Sequence, residues 1–153
     1  GPTGNSWEES VAGTLEKHVD VHSYAKNDRL GFHIPYVHLG RSHNYIPDFL
    51  VRMTPQHDGV TRTLIIEVSG GQKSPGPTMA KAATAEDQWC VAVNNHGGWG
   101  IWSYLQVDDI AKASIEINGA LTRLANAQPN AKQEAAHARH TSGDISALEP
   151  AAL

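Results

Sequence analysis

The chain has 153 residues, a length typical of one domain that buries a single core without help from disulfides or metals. Hydrophobic residues make up 40% and charged residues 18%, which is a globular composition and excludes a disordered or fibrous chain. No apolar run approaches the roughly 18 residues that a membrane helix needs, so we expect no membrane association. The net charge of −4 means that any attraction for nucleic acid must come from a local patch or a bound metal.

The single cysteine, Cys90, excludes an internal disulfide and is typical of a reducing compartment, so we expect a cytoplasmic location. Residues 1–4 resemble the remnant of a cleaved tag, and no basic flank with an apolar run follows them as in a signal peptide. We therefore expect residues 5–126 to form the domain, within a longer native polypeptide. Residues 127–153 are rich in Ala, Gln, His and Ser, which predicts a linker, a tail or a frayed helix.

The first elements in chain order are a helix and a series of strands. Ser6 to His18 predicts a helix, because a capping serine and two acids precede apolar residues that recur every four positions. Alternating apolar, β-branched and aromatic residues between polar turns such as Asn27-Asp28 and Gly40-Arg41-Ser42 predict strands. We expect the strands at Val21 to Lys26, Phe32 to His38, Tyr45 to Met53, Thr61 to Ser69, Cys90 to Asn94 and Trp99 to Val107.

Two further helices complete the prediction. Gly70 to Pro77, with three glycines and two prolines, predicts a loop before an Ala-rich helix from Thr78 to Trp89. Asp108 to Leu124 predicts an amphipathic helix with an acidic cap. This order of elements predicts an α/β (α+β) fold in which helices flank a central mixed sheet.

Two acids stand out in the predicted strands. Asp48 follows Pro47 inside a strand, where a proline and an acid are unusual unless the stretch is an edge or a site, and Glu67 ends an apolar strand. If the two strands form a hairpin, the midpoint between these acids falls between His57 and Asp58, the middle of the predicted turn. The two carboxylates then lie side by side and repel each other unless a cation or a proton joins them.

A divalent metal is the usual partner of such a pair. Oxygen ligands of this kind suit Mg²⁺, and the carbonyl of Val68 is a further hard ligand nearby. The spacing alone leaves an alternative open, in which Asp48 caps a turn and Glu67 pairs with Arg52 or Arg62 on a solvated face.

The two acids and their surroundings resemble a known family. Pro47-Asp48, followed one strand later by Glu67 after Leu64-Ile65-Ile66, looks like the PD-(D/E)XK nuclease superfamily. A wider set of segments resembles the endonuclease domain of type III restriction enzyme Res subunits. These segments are residues 25–27 (AKN), 32–36 (FHIPY), 46–52 (IPDFLVR), 64–68 (LIIEV), 93–95 (VNN) and 97–100 (GGWG), so that the resemblance covers roughly Trp7 to Asp109.

The resemblance implies a PD-(D/E)XK, restriction-endonuclease-like fold with an α-β-β-β-α-β core and Mg²⁺-dependent hydrolysis of phosphodiester bonds in DNA, with Mn²⁺ as an expected substitute. It also implies a helicase or translocase region in the same native polypeptide and a methyltransferase subunit as partner. ATP would act only through that motor, outside this chain. Asp48 and Glu67 take the metal-binding roles, and the catalytic acid of the first helix falls on Glu8, with Glu16 as the alternative.

The chain departs from the family pattern at one position. The lysine expected two residues after the glutamate is Ser69, so another cation must reach this space if the enzyme is active. Lys81 in the second helix is favoured over Lys73 in the glycine-rich loop, because a helix holds a catalytic group more rigidly. His43 and Gln88 are further candidates for contacts with DNA or with the site. The missing lysine also keeps open a catalytically inactive DNA-binding or assembly module.

Overall fold

The computed structural model describes residues 5–28, 30–69 and 75–141, and their side chains over 7–28, 30–69 and 79–139. The helices are α1 (Asn5–Lys17), α2 (Pro75–Ala83), α3 (Cys90–His96), α4 (Ala113–Asn126) and α5 (Ala131–Thr141). A π-helical segment, Thr84–Trp89, joins α2 to α3, and a 3₁₀ turn, Ile110–Lys112, precedes α4. The strands are β1 (Val21–Lys26), β2 (Ile34–His38), β3 (Arg41–Tyr45), β4 (Phe49–Met53), β5 (Arg62–Val68) and β6 (Ile101–Val107).

Four of these strands form the main sheet, in the order β1-β4-β5-β6. β4 pairs antiparallel with β1 and with β5, whereas β5 and β6 are parallel. The two remaining strands, β2 and β3, form a separate antiparallel hairpin. The expected mixed sheet flanked by helices is therefore confirmed, and β1 has the predicted bounds.

The two faces of the main sheet carry separate hydrophobic cores. On one face α1 and α4 pack against alternate residues of β4, β5 and β6, which include Phe49, Val51, Leu64, Ile66 and Val107. On the other face the π-helical segment, α3 and the hairpin pack around Ile65, Trp102 and Tyr104. Because strand residues alternate between faces, Asp48 and Glu67 belong to this second face, together with Ile65.

The predicted strand from Tyr45 to Met53 is wrong, because two strands of different sheets share that stretch. β3 ends at Tyr45, and β4 begins at Phe49 in the main sheet. Pro47 lacks the N–H that a continuous ladder needs, which favours a break at this place. The preceding turn also lies earlier than predicted, at Leu39 and Gly40, whose φ values of 52° and 75° are typical of a tight hairpin turn.

The predicted strand from Cys90 to Asn94 is also wrong, since these residues begin helix α3. Val91 to Val93 favour a strand locally, but Cys90 and Val93 are buried on the second face of the sheet. The Asn94 side chain accepts a hydrogen bond from the Trp102 N–H at 2.8 Å and donates one to the Trp102 carbonyl at 2.9 Å. Tertiary packing against β6 therefore outweighs the local preference.

Helices begin and end somewhat differently from the prediction elsewhere in the chain. The predicted loop from Gly70 to Pro77 is helical from Pro75, and residues 70–74 lie outside the described part. The Ala-rich segment after residue 127 contains α5, in which Gln133 and Ala136 are buried. The Gln133 amide donates to the Gly100 carbonyl at 3.0 Å, so α5 is anchored at the start of β6.

Candidate active site

The two acids singled out in the sequence lie next to each other at the end of the main sheet. The register pairs Phe49 of β4 with Ile66 of β5, so the next position outward places Asp48 opposite Glu67. The same register follows from the predicted hairpin midpoint, which is therefore confirmed. Glu67 is 2% exposed, and its carboxyl group lies close enough to Asp48 to influence the pKa of that residue.

Asp48 is held in place by backbone groups on both sides. Its Oδ2 accepts a hydrogen bond from the Val68 N–H at 2.7 Å. On the other side, the Asn27 N–H donates to the Asp48 carbonyl at 2.8 Å. The Asn27 side-chain amide donates to the carbonyls of Phe32 at 2.9 Å and Pro47 at 3.0 Å. The buried Asn27 therefore stabilises the segment between β3 and β4 that places Asp48 beside Glu67.

The surroundings of Asp48 favour its charged form. Burial opposes ionisation of Asp48, but the neighbouring Glu67 and the hydrogen bond from the Val68 N–H outweigh it, so the pKa of Asp48 lies below its usual value. A cation with oxygen ligands would suit two carboxyl groups that lie side by side.

The alternative reading, with Glu67 on a solvated face beside Arg62, is wrong. Glu67 is buried, and the Arg62 guanidinium instead donates to both carboxylate oxygens of Asp58, each at 2.8 Å. Arg52 donates to the Thr63 hydroxyl at 3.1 Å. Asp58 lies in the turn between β4 and β5. This ion pair therefore stabilises the β4–β5 hairpin at its turn, at the other end of these strands from the carboxylate pair.

Two tyrosines complete the surroundings of Glu67, and the sequence analysis missed both. The Tyr45 hydroxyl lies 2.9 Å from the Tyr104 hydroxyl, and burial together with the nearby charge of Glu67 raises the pKa of both tyrosines. Tyr104 pairs with Ile65 across β5 and β6, which places it on the Glu67 face. The alternation of side chains along β6 could have indicated that Tyr104 faces the same side as Glu67. The place of Tyr45 could not be predicted, because the sequence did not show that a strand ends there.

The structure brings Lys81 to the same place. Its Nζ lies 5.1 Å from the centroid of the Tyr45 ring, within the range of a cation–π contact. Ser69 is 6% exposed and its N–H donates to the Val107 carbonyl at 2.8 Å, so the position where the resemblance predicts a lysine is buried and uncharged. Lys73, the other candidate cation, lies outside the described residues.

The remaining sequence candidates lie away from this pair. Glu8 forms an ion pair with Lys26, 2.8 Å from Oε1 to Nζ. Lys26 pairs with Phe49, which belongs to the opposite face of the sheet from Asp48. Glu16 accepts a hydrogen bond from the Tyr24 hydroxyl. Neither contact joins a first-helix acid to the carboxylate pair.

His43 lies on the β2–β3 hairpin, and Gln88 lies on the π-helical segment beside it. The exposed His43 ring stacks on Tyr36, with ring centroids 5.1 Å apart and an angle of 23° between the rings. Gln88 is exposed and lines a cleft of about 190 Å³ with Tyr36 and Ser42. Both residues thus form an outer rim that is separate from the two acids.

Comparisons with known proteins do not add to this picture. Neither family models, curated proteins nor solved structures gave a match to the chain. Within the described residues, no three His, Cys, Asp or Glu side chains converge as a metal-binding group. No helix in the same residues is long and apolar enough to cross a membrane.

Proposed function

We propose that the chain is the endonuclease domain of a type III-like restriction system and hydrolyses phosphodiester bonds of DNA with Mg²⁺. The observation that carries the proposal is the adjacent pair of the half-buried Asp48 and the buried Glu67, with the Lys81 ammonium over the Tyr45 ring. The order of the elements supports it. α1, β1, β4, β5, α2 and β6 follow one another in the α-β-β-β-α-β order that the resemblance implies, with the β2–β3 hairpin inserted after β1.

The donor atoms at the pair fit Mg²⁺, with Mn²⁺ as a substitute. Asp48 and Glu67 supply carboxylate oxygens, and a hard ion of this kind takes one or two carboxylates and keeps waters for its other positions. The N–H and C=O of one strand residue point to the same side. Because the Val68 N–H points to Asp48, the Val68 carbonyl faces this side and would be available as a third ligand. The ion would supply positive charge to the phosphate and activate the attacking water.

The chain's own residues then have distinct roles. Asp48 and Glu67 hold the ion, and the backbone contacts of Asp48 keep its carboxylate oriented before any ligand binds. Lys81 brings the positive charge that Ser69 cannot supply and stabilises the charge that builds on the phosphate. Glu8 would assist from the first helix if the end of α1 approached the bound DNA.

The wider setting follows from the resemblance. We infer that a helicase or translocase region of the same native polypeptide uses ATP, that a methyltransferase subunit is the partner, and that the system acts in the cytoplasm. The nuclease domain cuts but does not choose the DNA sequence. His43 on the hairpin and Gln88 on the adjacent π-helical segment are candidate contacts to the DNA backbone.

Ser69 favours a second candidate function. A buried serine in the lysine position is what a catalytically inactive relative would contain. Such a protein would bind DNA or assemble with partners through the same face without cutting.

A nicking assay on supercoiled DNA separates the two functions. We expect nicking by the wild-type chain with Mg²⁺ or Mn²⁺, none with EDTA, and at least a 100-fold loss in Asp48→Asn and Glu67→Gln. These substitutions keep the shape of each side chain, and Glu134→Gln on the exposed side of α5 is the matched control. Nicking at the wild-type rate by either site variant would exclude the pair as the active site. DNA binding without nicking under all conditions would favour the inactive module.

A further inference from the structure

The β2–β3 hairpin forms an arm that extends from the candidate site. It is a two-stranded sheet of its own, and its root is held by Ile34 and Tyr45, which are buried in the second core. The Lys81 ammonium lies over the Tyr45 ring, so the arm begins at the site. Residues 41–44 are all exposed. Four residue steps separate Tyr45 from Arg41, and the arm therefore extends about 13 Å beyond the core.

One face of the arm carries ring and cationic side chains from its root to its tip. Paired residues of an antiparallel hairpin share a face, and the face alternates at each step. Two steps outward from the buried pair at the root, Tyr36 pairs with His43, and the two rings stack with centroids 5.1 Å apart. Two further steps outward, His38 pairs with Arg41. Guanidinium and imidazole N–H groups donate hydrogen bonds to phosphate, so this face suits a polyanion.

The charge of the arm differs from that of the whole chain. The chain has 16 acidic and 12 basic residues, yet residues 30–47 contain one arginine, three histidines and no Asp or Glu. The π-helical segment beside the arm contributes the neutral Thr84 and Gln88 to the cleft between them, whereas its acids Glu86 and Asp87 do not line that cleft. A polyanion along the arm therefore meets positive charge and no carboxylate of the arm itself.

The tip of the arm carries an exposed leucine in an unfavourable conformation. Leu39 is 88% exposed, and its φ of 52° lies in the left-handed region, where glycine and asparagine are the usual residues. Leu39 and Gly40 form the two-residue turn between His38 and Arg41. Neither exposure nor conformation favours leucine in the free chain. An apolar side chain beside cations does suit the major groove of DNA, which exposes thymine methyl groups between two rows of phosphates.

We propose that the β2–β3 hairpin is a DNA-docking arm that enters the major groove of a duplex, with Leu39 against the bases and Arg41 and His43 against the phosphates. The inference rests on the proposed action on DNA and deepens it, because it makes the substrate double-stranded. A two-stranded β-ribbon fits the major groove, which is about 12 Å wide and about 8.5 Å deep. The reach of the arm, about 13 Å, is enough for that depth.

The test measures binding of the full chain to a fluorescein-labelled duplex and to one of its single strands. EDTA prevents cleavage, and the NaCl concentration is varied. Arg41→Gln should weaken duplex binding roughly 3- to 10-fold and lower the slope of log Kd against log NaCl concentration by about one, as expected for one lost phosphate contact. Arg123→Gln, at an exposed position of α4 on the other face of the main sheet, is the matched control and should change neither.

Leu39→Gly tests the tip of the arm. Glycine adopts the positive φ of this position without strain, so the melting temperature should change little. Duplex binding should weaken roughly 5- to 10-fold with no change in the salt slope, because the lost contact is apolar. Binding to the single strand, which has no groove, should stay the same. Val19→Gly, at a turn residue that is 86% exposed, is the matched control.

The outcomes separate this inference from the proposed nuclease function. Duplex binding by the wild type, with both arm variants equal to their controls, would overturn the inference alone. Equal losses on duplex and single strand in Leu39→Gly would also overturn it, since no groove would then be involved. The expected losses in a chain that does not nick DNA with Mg²⁺ or Mn²⁺ would support the arm and overturn the nuclease. A wild type that binds no duplex even at low salt would overturn both.

Discussion

The Asp58 carboxylate and the Arg62 guanidinium form a two-pronged ion pair across the turn between β4 and β5. The Nη1 and Nη2 atoms of Arg62 lie 2.8 Å from the two Asp58 oxygens. Arg62 is buried, and it also donates to the carbonyls of Leu124 at 2.8 Å and Ala127 at 2.7 Å. These two carbonyls lie at the C-terminal end of α4. One arginine therefore connects that helix end to the β4–β5 hairpin, whose register places Asp48 opposite Glu67.

Asp58→Asn should destabilise the chain by about 2 kcal/mol at pH 7, because it leaves the buried arginine without its charged partner. The Arg62 guanidinium lowers the pKa of Asp58 to about 2 against the opposing effect of burial. The ordinary value is 3.8. A lowered pKa stabilises the folded state above the unfolded pKa, and the contribution is lost as the pH falls toward the folded one. Urea unfolding at pH 7, with Asp108→Asn as an exposed control, measures the loss.

The same pair predicts a pH dependence. The difference in free energy of unfolding between the wild type and Asp58→Asn should stay constant from pH 7 to about pH 5. It should then shrink between about pH 4 and pH 2, where the wild-type carboxylate becomes protonated. A difference that stayed constant down to pH 2 would mean that the charge of Asp58 has no part in it.

Asn27→Ala should lower the free energy of unfolding by about 2 to 3 kcal/mol. The substitution removes both hydrogen bonds of the side-chain amide and leaves the Phe32 and Pro47 carbonyls unsatisfied in a buried place. The backbone next to Asp48 would also be held less firmly. We therefore expect cation affinity to fall together with the free energy of unfolding. Asn95→Ala, at an exposed position of α3, is the matched control. Equal unfolding curves for both variants would contradict the assigned role of Asn27.

Mg²⁺ or Mn²⁺ should raise the melting temperature of the wild type but not of the double variant Asp48→Asn with Glu67→Gln. An ion that binds only the folded state stabilises it in proportion to the logarithm of its concentration above the dissociation constant. Scanning calorimetry at constant ionic strength, with NaCl replacing the divalent salt, separates binding from screening. A similar rise in both proteins would place the cation elsewhere in the chain.

Lys81→Gln should lower the cleavage rate by roughly two orders of magnitude, the scale of losing one preorganised charge at a phosphoryl centre. DNA affinity should change little, and Lys112→Gln on the exposed 3₁₀ turn is the matched control. The double variant Ser69→Lys with Lys81→Gln should recover part of the rate, because residues 67 and 69 are two positions apart and therefore point to the same side. If Lys81→Gln cleaves normally and Lys73→Ala does not, the loop lysine has the catalytic role instead.

The sequence by itself determined β1, the approximate extent of β5 and β6, and the pairing of the two acids. Alternation of apolar and polar residues has a period of two, and a hairpin turn of known position converts it into a register. That is why the bounds of β1 and the opposition of Asp48 and Glu67 follow from the sequence alone. The absence of lysine at Ser69 was equally visible, since it is a matter of residue identity alone.

Only the tertiary structure decided which elements surround that pair. The strand break after Tyr45, the helical state of Cys90 to His96 and the packing of α5 depend on contacts between residues far apart in the chain. A short apolar stretch has similar local preferences for strand and helix. Which of the two it forms therefore depends on which side chains it can bury against the rest of the fold. The approach of Tyr45 and Lys81 to Glu67 depends on this choice, because a hairpin and a helix from outside the main sheet must first pack on the same face.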